Sequence, residues 1–213
     1  MQTQYGTCNS TSEIERLEKI MSKYTTPQKL DKKINDILNG LTNAKGEVFE
    51  TYHKDLGEIM GYQASNPKGT GDPDPYWIIN DDICIVSEDK IYDRDDHKIP
   101  LDHISQANRH EKWIREKVKT IHKNANIYTV FITNTSNIDE AGRIYAENIY
   151  YCSRNDLISW AYKALKVLRD CYNTFTEEGD PAWREYVGNE LIRNSVTPDD
   201  FIKMITKTKL SDL

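Results

Sequence analysis

Two aspartates, a glutamate and a lysine bracket one short apolar stretch. Asp72-Pro73-Asp74-Pro75 precedes Tyr76-Trp77-Ile78-Ile79, the triplet Asn80-Asp81-Asp82 follows, and Ile83-Cys84-Ile85-Val86 leads on to Glu88-Asp89-Lys90. Apolar runs on either side of a polar triplet predict two antiparallel strands joined by a tight turn. Folding that hairpin brings its outer ends to one edge, where the acids meet the lysine. Convergent carboxylates suit a hard cation such as Mg2+, which prefers oxygen ligands and keeps several of its waters. Residues two apart on a strand face the same side, so Glu88 and Lys90 share a centre. The Asp89 side chain points away from it, and its backbone carbonyl is left as a further ligand. Acids, an ammonium and a cation-held water suit phosphodiester hydrolysis, because the metal activates water and the positive charges stabilise the growing phosphate charge. A plainer account stands beside this one. Asp-Pro-Asp-Pro is good turn chemistry, and acids at strand ends are ordinarily just solvated.

Those residues need a scaffold, and the flanking periodicity supplies one. A helix is expected from Ser12, with Glu15 completing a capping box and Ile14, Leu17, Ile20, Met21 and Tyr24 forming its apolar stripe. Thr26-Pro27 opens a second helix with Leu30, Ile34, Ile37, Leu38 and Leu41 on one side. A third runs from Lys45 to Met60, turns Val48, Phe49, Tyr52, Leu56 and Ile59 inward, and ends at Gly61. Glu47 and Glu50 lie beside that stripe. Residues 63 to 75 read as a loop in which Lys68 could reach a phosphate, and no Walker motif follows. One long helix is expected from Leu101 or Ser105 to His122, with Gln106 near its start and Val118 and Ile121 among its apolar positions. His110 on it reads equally well as a solvated helix terminus, and His103, His110 and His122 are too dispersed to suggest a catalytic pair. Ile127 to Thr133 suits a buried parallel strand. A helical stretch from Asp139 to Glu147, a strand from Ile149 to Cys152 and a helix capped by Ser153 come next, then helices from Pro181 to Asn194 and from Pro198 to Thr206. Strands alternating with helices imply a sheet covered on both faces.

The order Phe49-Glu50, Gly61-Tyr62, Pro73-Asp74, hairpin, Glu88-Asp89-Lys90 resembles the PD-(D/E)XK nuclease superfamily. Ile99-Pro100, Gln106-Ala107 opening a helix, the strand Tyr128 to Thr133 and Thr197-Pro198-Asp199-Asp200-Phe201 are similar to the FokI-type cleavage domain of type IIS restriction enzymes. The likeness covers about residues 45 to 205. It implies an α/β, three-layer restriction-endonuclease-like core with a mixed central sheet, residues 45–213, behind an N-terminal helical appendage, residues 1–44. It also implies Mg2+-dependent DNA cleavage, with Mn2+ as a substitute. Asp74, Glu88, Asp89 and Glu50 would stand at the metal, Lys90 at the attacking water and Gln106 in support. Asp72 remains an alternative to Asp74, and Glu47 to Glu50. One such site cuts one strand, so the expected partners are DNA together with a second nuclease subunit, a homodimer mate or a separate recognition subunit.

Composition sets limits on all of this. A chain of 213 residues with 38% hydrophobic and 29% charged side chains suits one domain, or one with an appendage. It shows no apolar run long enough for a bilayer and no leader segment, so a cytoplasmic, non-membrane protein is expected. The four cysteines, Cys8, Cys84, Cys152 and Cys171, are widely spaced, which argues against zinc and for a reducing compartment. A net charge of −6 argues against binding of nucleic acid by bulk electrostatics. A local basic patch, bound Mg2+ or a partner would have to supply the attraction. Two rival functions fit the same residues: a standalone structure-specific repair or phage nuclease, and a helical interaction module without catalysis.

Overall fold

The computed structural model describes residues 11–69 and 71–213, the side chains of Thr11 and Ser12 excepted. The expected loose N-terminal end, Cys8, the Ser12 capping box and Thr70 in the loop lie outside the described residues. The hairpin forms as expected. Strands β2 (Tyr76–Asn80) and β3 (Ile83–Lys90) pair antiparallel, and Asn80 Oδ1 accepts the Asp82 N–H at 2.9 Å to close the turn. A short edge strand, β1 (Gln63–Ser65), lies antiparallel to β2 where a loop was expected. Its three residues carry no apolar alternation, so its strand character comes from pairing with β2 rather than from propensity. The remaining short strands are β4 (Lys98–Ile99) and β6 (Asn137–Ile138), a parallel pair of their own. On the other side of β3 lie β5 (Asn126–Thr133) and then β7 (Tyr150–Ser153), both parallel to their neighbours. The protein is therefore α/β, with a mixed five-stranded sheet in the order β1-β2-β3-β5-β7.

Period two divides this sheet between two cores. Trp77, Ile79, Ile85, Val130, Ile132 and Cys152 join the larger apolar cluster, while Ile78, Cys84, Val86 and Phe131 serve smaller clusters on the opposite face. The larger cluster is roofed by α2 (Pro27–Asn43), α3 (Gly46–Ile59) and α7 (Arg154–Tyr172). The stripe of α1 (Thr11–Met21), through Leu17 and Met21, and those of α8 (Pro181–Arg193) and α9 (Pro198–Ile205) enter the same cluster. Burying each large side chain of this kind contributes about 1.5–3 kcal/mol. Val48, expected inside, is 56% exposed. On α3 the close approach to the sheet falls at Gly57, where a Cβ would stand 2.4 Å from the Trp77 indole nitrogen.

The opposite face departs from expectation. The long helix predicted to reach His122 is two helices, α4 (Leu101–Ala107) and α5 (His110–Lys117), separated at Asn108 and Arg109. Each packs on a different cluster: Ile104 and Ala107 join Ile99, Phe131 and Ile138, whereas Ile114 joins Ile78, Cys84 and Val86. The turn at Asn108 and Arg109 lets the two helices reach separate clusters. Asn108 marks the break by donating through Nδ2 to the Tyr145 carbonyl. Val118 is extended and ends α5 early, and the Arg115 guanidinium holds the returning loop through the Lys123 and Ala125 carbonyls at 2.9 and 3.2 Å. The helix expected over Asp139 to Glu147 contracts to α6 (Glu140–Arg143), capped by Asp139. Expected caps at Thr26, Ser153 and Thr197 all accept a backbone N–H, the last within a capping box. Among the described residues no helix is long and apolar enough to cross a membrane.

Candidate active site

The C-terminal end of β3 carries acids toward both faces of the sheet. Ser87 donates both its N–H and its hydroxyl to the Pro75 carbonyl, at 3.0 and 2.7 Å, so the Asp-Pro-Asp-Pro segment continues alongside β3. Prolines have no N–H and cannot extend the ladder as donors. The Asp89 N–H donates instead to the Asp74 side chain, at 2.7 Å from Oδ2, and this fixes the Asp74 carboxylate against the strand.

Lys90 then closes the centre. Its ammonium lies 2.6 Å from Glu88 Oε1, 3.1 Å from Asp74 Oδ2 and 3.5 Å from the Asp89 carbonyl. Two carboxylates and a backbone carbonyl thus converge on one positive charge. The Glu88 contact is an ion pair and is poorly angled for a hydrogen bond, since the same Oε1 counts as buried without a hydrogen-bond partner. The other Glu88 oxygen is 2.6 Å from His110 Nε2, the first residue of α5. An ionised carboxylate has only acceptors, so His110 carries the proton between them. His110 was expected to sit equally well in solvent; it is fully buried and clamps Glu88. The Asp89 side chain, directed to the opposite face, meets His53 of α3 at 2.8 Å, and its Oδ1 is buried without a hydrogen-bond partner. Neither histidine contact was foreseen. His53 shares a helix face with Phe49 and Leu56, and His110 stands three residues after Ala107 and four before Ile114, which is the one weak signal the sequence holds for each.

The electrostatics follow from this crowding. Burial, then the Asp89 and Glu88 charges, with Glu50 adding and Lys90 opposing, push the Asp74 pKa up to about 7. Burial works to raise Glu88 as well, but the His110 hydrogen bond and the Lys90 charge outweigh it and hold Glu88 below the ordinary carboxylate value. Burial would lower Lys90; Glu88 and Asp74 override it and raise its pKa, so the ammonium stays charged.

The remaining expected residues sort as follows. Asp72 is occupied elsewhere, accepting the Gly69 N–H at 2.8 Å and the Trp113 indole N–H at 2.9 Å. It closes the entering loop, and Asp74 reaches the centre. Glu50 is buried on α3 and Glu47 is exposed. Glu50 Oε2 accepts from Lys68 at 2.7 Å, so this carboxylate stands at the rim and acts on Asp74 through its charge. Gln106, expected to open a helix, is the penultimate residue of α4. Among the described residues its side chain makes no hydrogen bond to Asp74, Glu88 or Lys90.

No group of three or more His, Cys, Asp or Glu side chains among the described residues is arranged to hold a metal ion. Mg2+ asks for less, one or two carboxylates with waters completing the shell. The donors here are all hard oxygens, they already surround a cation, and the Asp89 and Glu88 charges add to burial in raising the Asp74 pKa. On these observations Asp74, Glu88 and the Asp89 carbonyl fit a hard divalent cation. In comparisons with family models, with curated proteins and with solved structures, the chain matches none.

Proposed function

We propose that this chain, for which no relative supplies a function, is a Mg2+-dependent endonuclease that hydrolyses phosphodiester bonds in DNA, with Mn2+ as a substitute. In this proposal it has the PD-(D/E)XK kind of fold and serves as the cleavage unit of a type II, IIS-like restriction enzyme. The observation that carries the proposal is the convergence of Asp74, Glu88 and the Asp89 carbonyl on the Lys90 ammonium. Those oxygens would hold the cation, which when bound lowers the pKa of a coordinated water and offsets charge on the phosphate oxygens.

The chain's own residues do the rest. Lys90, an ammonium beside its two acids, orients the nucleophile and faces the charge that grows on the phosphate oxygens. His110 positions Glu88 through a buried hydrogen bond, and His53 holds Asp89 so that its carbonyl stays in register. Glu50 adds negative potential at the rim. Gln106 takes no direct step. One centre of this kind cuts one strand, so cleavage of both strands requires a second copy or a partner subunit.

Nicking of supercoiled plasmid in Mg2+ tests the proposal. Wild type is expected to produce open circles, and Lys90→Ala to do so at least about 10²-fold more slowly, the scale for losing one preorganised charge-stabilising group. Equal rates contradict it. The ion pairs that Lys90 makes with both acids favour a second account, in which the cluster is structural and the protein is an interaction module. Under that account Mg2+ gives no rise in melting temperature.

A further inference from the structure

Two residues past Lys90 the chain builds an aromatic stack that hydrolysis itself does not use. Tyr92 is half-buried against the cluster of Ile99, Ile104 and Phe131. The exposed ring of His97 lies over it, with centroids 4.1 Å apart and planes 21° from parallel. The Tyr92 hydroxyl is 2.8 Å from His103 Nδ1 on α4, and those two rings lie 17° from parallel with centroids 6.0 Å apart.

The backbone beneath the stack is fixed. Asn134 Oδ1 accepts the Tyr92 N–H at 2.8 Å, Asn134 Nδ2 donates to the Tyr92 carbonyl at 3.0 Å, and Thr135 Oγ1 donates to the His97 carbonyl at 2.7 Å. Such a surface has little freedom left to lose when something lies on it. The stack is also within electrostatic reach of the acid centre. Burial and then the Lys90 charge lower the His103 pKa, while burial raises that of Tyr92 with Glu88 contributing. One face of the His97 ring is covered by Tyr92, and the residue is exposed to solvent.

A chain of net charge −6 gains little from bulk attraction to a polyphosphate, so short-range contacts must supply affinity. Base stacking on an aromatic ring does so without regard to sequence, contributing about 1–3 kcal/mol per base. We propose that His97, backed by Tyr92, is a stacking subsite for one unpaired nucleobase flanking the phosphodiester presented to Lys90. The subsite rests on the phosphodiester hydrolysis in that proposal, stands against its duplex-cutting restriction role, and narrows the substrate class to nucleic acid with an unstacked nucleotide at the cut: a single strand, a flap or a frayed junction. Bases inside an intact duplex have both faces covered by their neighbours. Of the rival nuclease roles, this favours the structure-specific one.

Fluorescence anisotropy with the full chain, without divalent cation so that the probe stays intact, tests the subsite. The probes are a single-stranded oligonucleotide and the same strand carrying abasic sites. Wild type is expected to bind the intact strand about 5- to 100-fold more tightly. His97→Ala should lose most of that preference, and His97→Phe should retain it. The subsite is overturned if wild type binds neither strand, if it binds both equally, if His97→Ala keeps the full preference, or if His97→Phe behaves like His97→Ala. Plasmid nicking in Mg2+ separates the two proposals. Nicking without base-dependent binding sinks the subsite alone, whereas base-dependent binding without nicking supports the subsite and removes the hydrolase.

Discussion

Two buried acid clusters in this protein are built from similar side chains and do different work. Between α1 and α8, Glu18 is 1% exposed and fully engaged: Arg184 donates to its Oε2 twice, at 3.0 and 2.7 Å, and the Gly179 N–H donates to its Oε1 at 2.9 Å. Nearby Glu13 is raised to about 8, by burial first, with Arg16 opposing and Asp199 adding. Arg16 itself is spent on the Gly61 and Ile79 carbonyls, at 2.7 and 2.6 Å. At the end of β3 the counter-charge is a single lysine among several acids. Arginine's planar fork binds a carboxylate in a fixed geometry, whereas an ammonium is a mobile point charge. Burial of acids alone therefore does not make a site. At the end of β3 two acids and a backbone carbonyl share one ammonium, and the proposed hydrolysis rests on that difference, which mutation can probe.

The largest expected effect is at Glu88. Glu88→Gln should reduce Mg2+-dependent nicking by about 10²–10³-fold with the fold intact by circular dichroism. Glu18→Ala should do the reverse. It removes both Arg184 hydrogen bonds and the Gly179 one from a buried carboxylate, so the denaturant midpoint should fall while nicking per folded molecule stays level. Substantial loss of nicking from Glu18→Ala would dissolve the distinction.

A pH series separates the two clusters further. Asp74 is raised from 3.8 to about 7, so its contribution to stability is fully present below the ordinary carboxylate value and is lost as pH rises toward 7. Glu13, raised from 4.5 to about 8, behaves alike over its own range. Melting temperature should therefore fall from pH 5 to pH 8 in metal-free buffer, and Asp74→Asn and Glu13→Gln should each flatten part of that fall. Added Mg2+ should restore stability at pH 8 in wild type and in Glu13→Gln but not in Asp74→Asn. The smallest effect is expected at Asp72. Asp72→Asn disturbs the loop closed onto Gly69 and Trp113, costs about 0.5–1.5 kcal/mol and leaves the nicking rate within a factor of a few.

Much of the centre was legible because it is local. The apolar runs around Asn80-Asp81-Asp82 specify the hairpin, and period two places Glu88 and Lys90 together, as the 2.6 Å ion pair bears out. Asp74 and Asp72 could not be separated from sequence because both precede the same strand. The Gly69 and Trp113 hydrogen bonds, the second from a helix some forty positions on, engage Asp72 away from Lys90. His110 was hidden by a break at Asn108-Arg109 that no glycine or proline announces. The helices on either side of it pack on different apolar clusters, and Asn108 bonds the Tyr145 carbonyl. His53 and the edge strand β1 were hidden for the same reason, since each depends on a partner far along the chain.

Anomalous diffraction from crystals soaked in Mn2+ addresses the central claim most directly. A peak bounded by the Asp74 and Glu88 carboxylates and the Asp89 carbonyl, with the Lys90 ammonium displaced from their midst, is the predicted result. Lys90 still seated between both acids, with no peak beside them at saturating Mn2+, would contradict it.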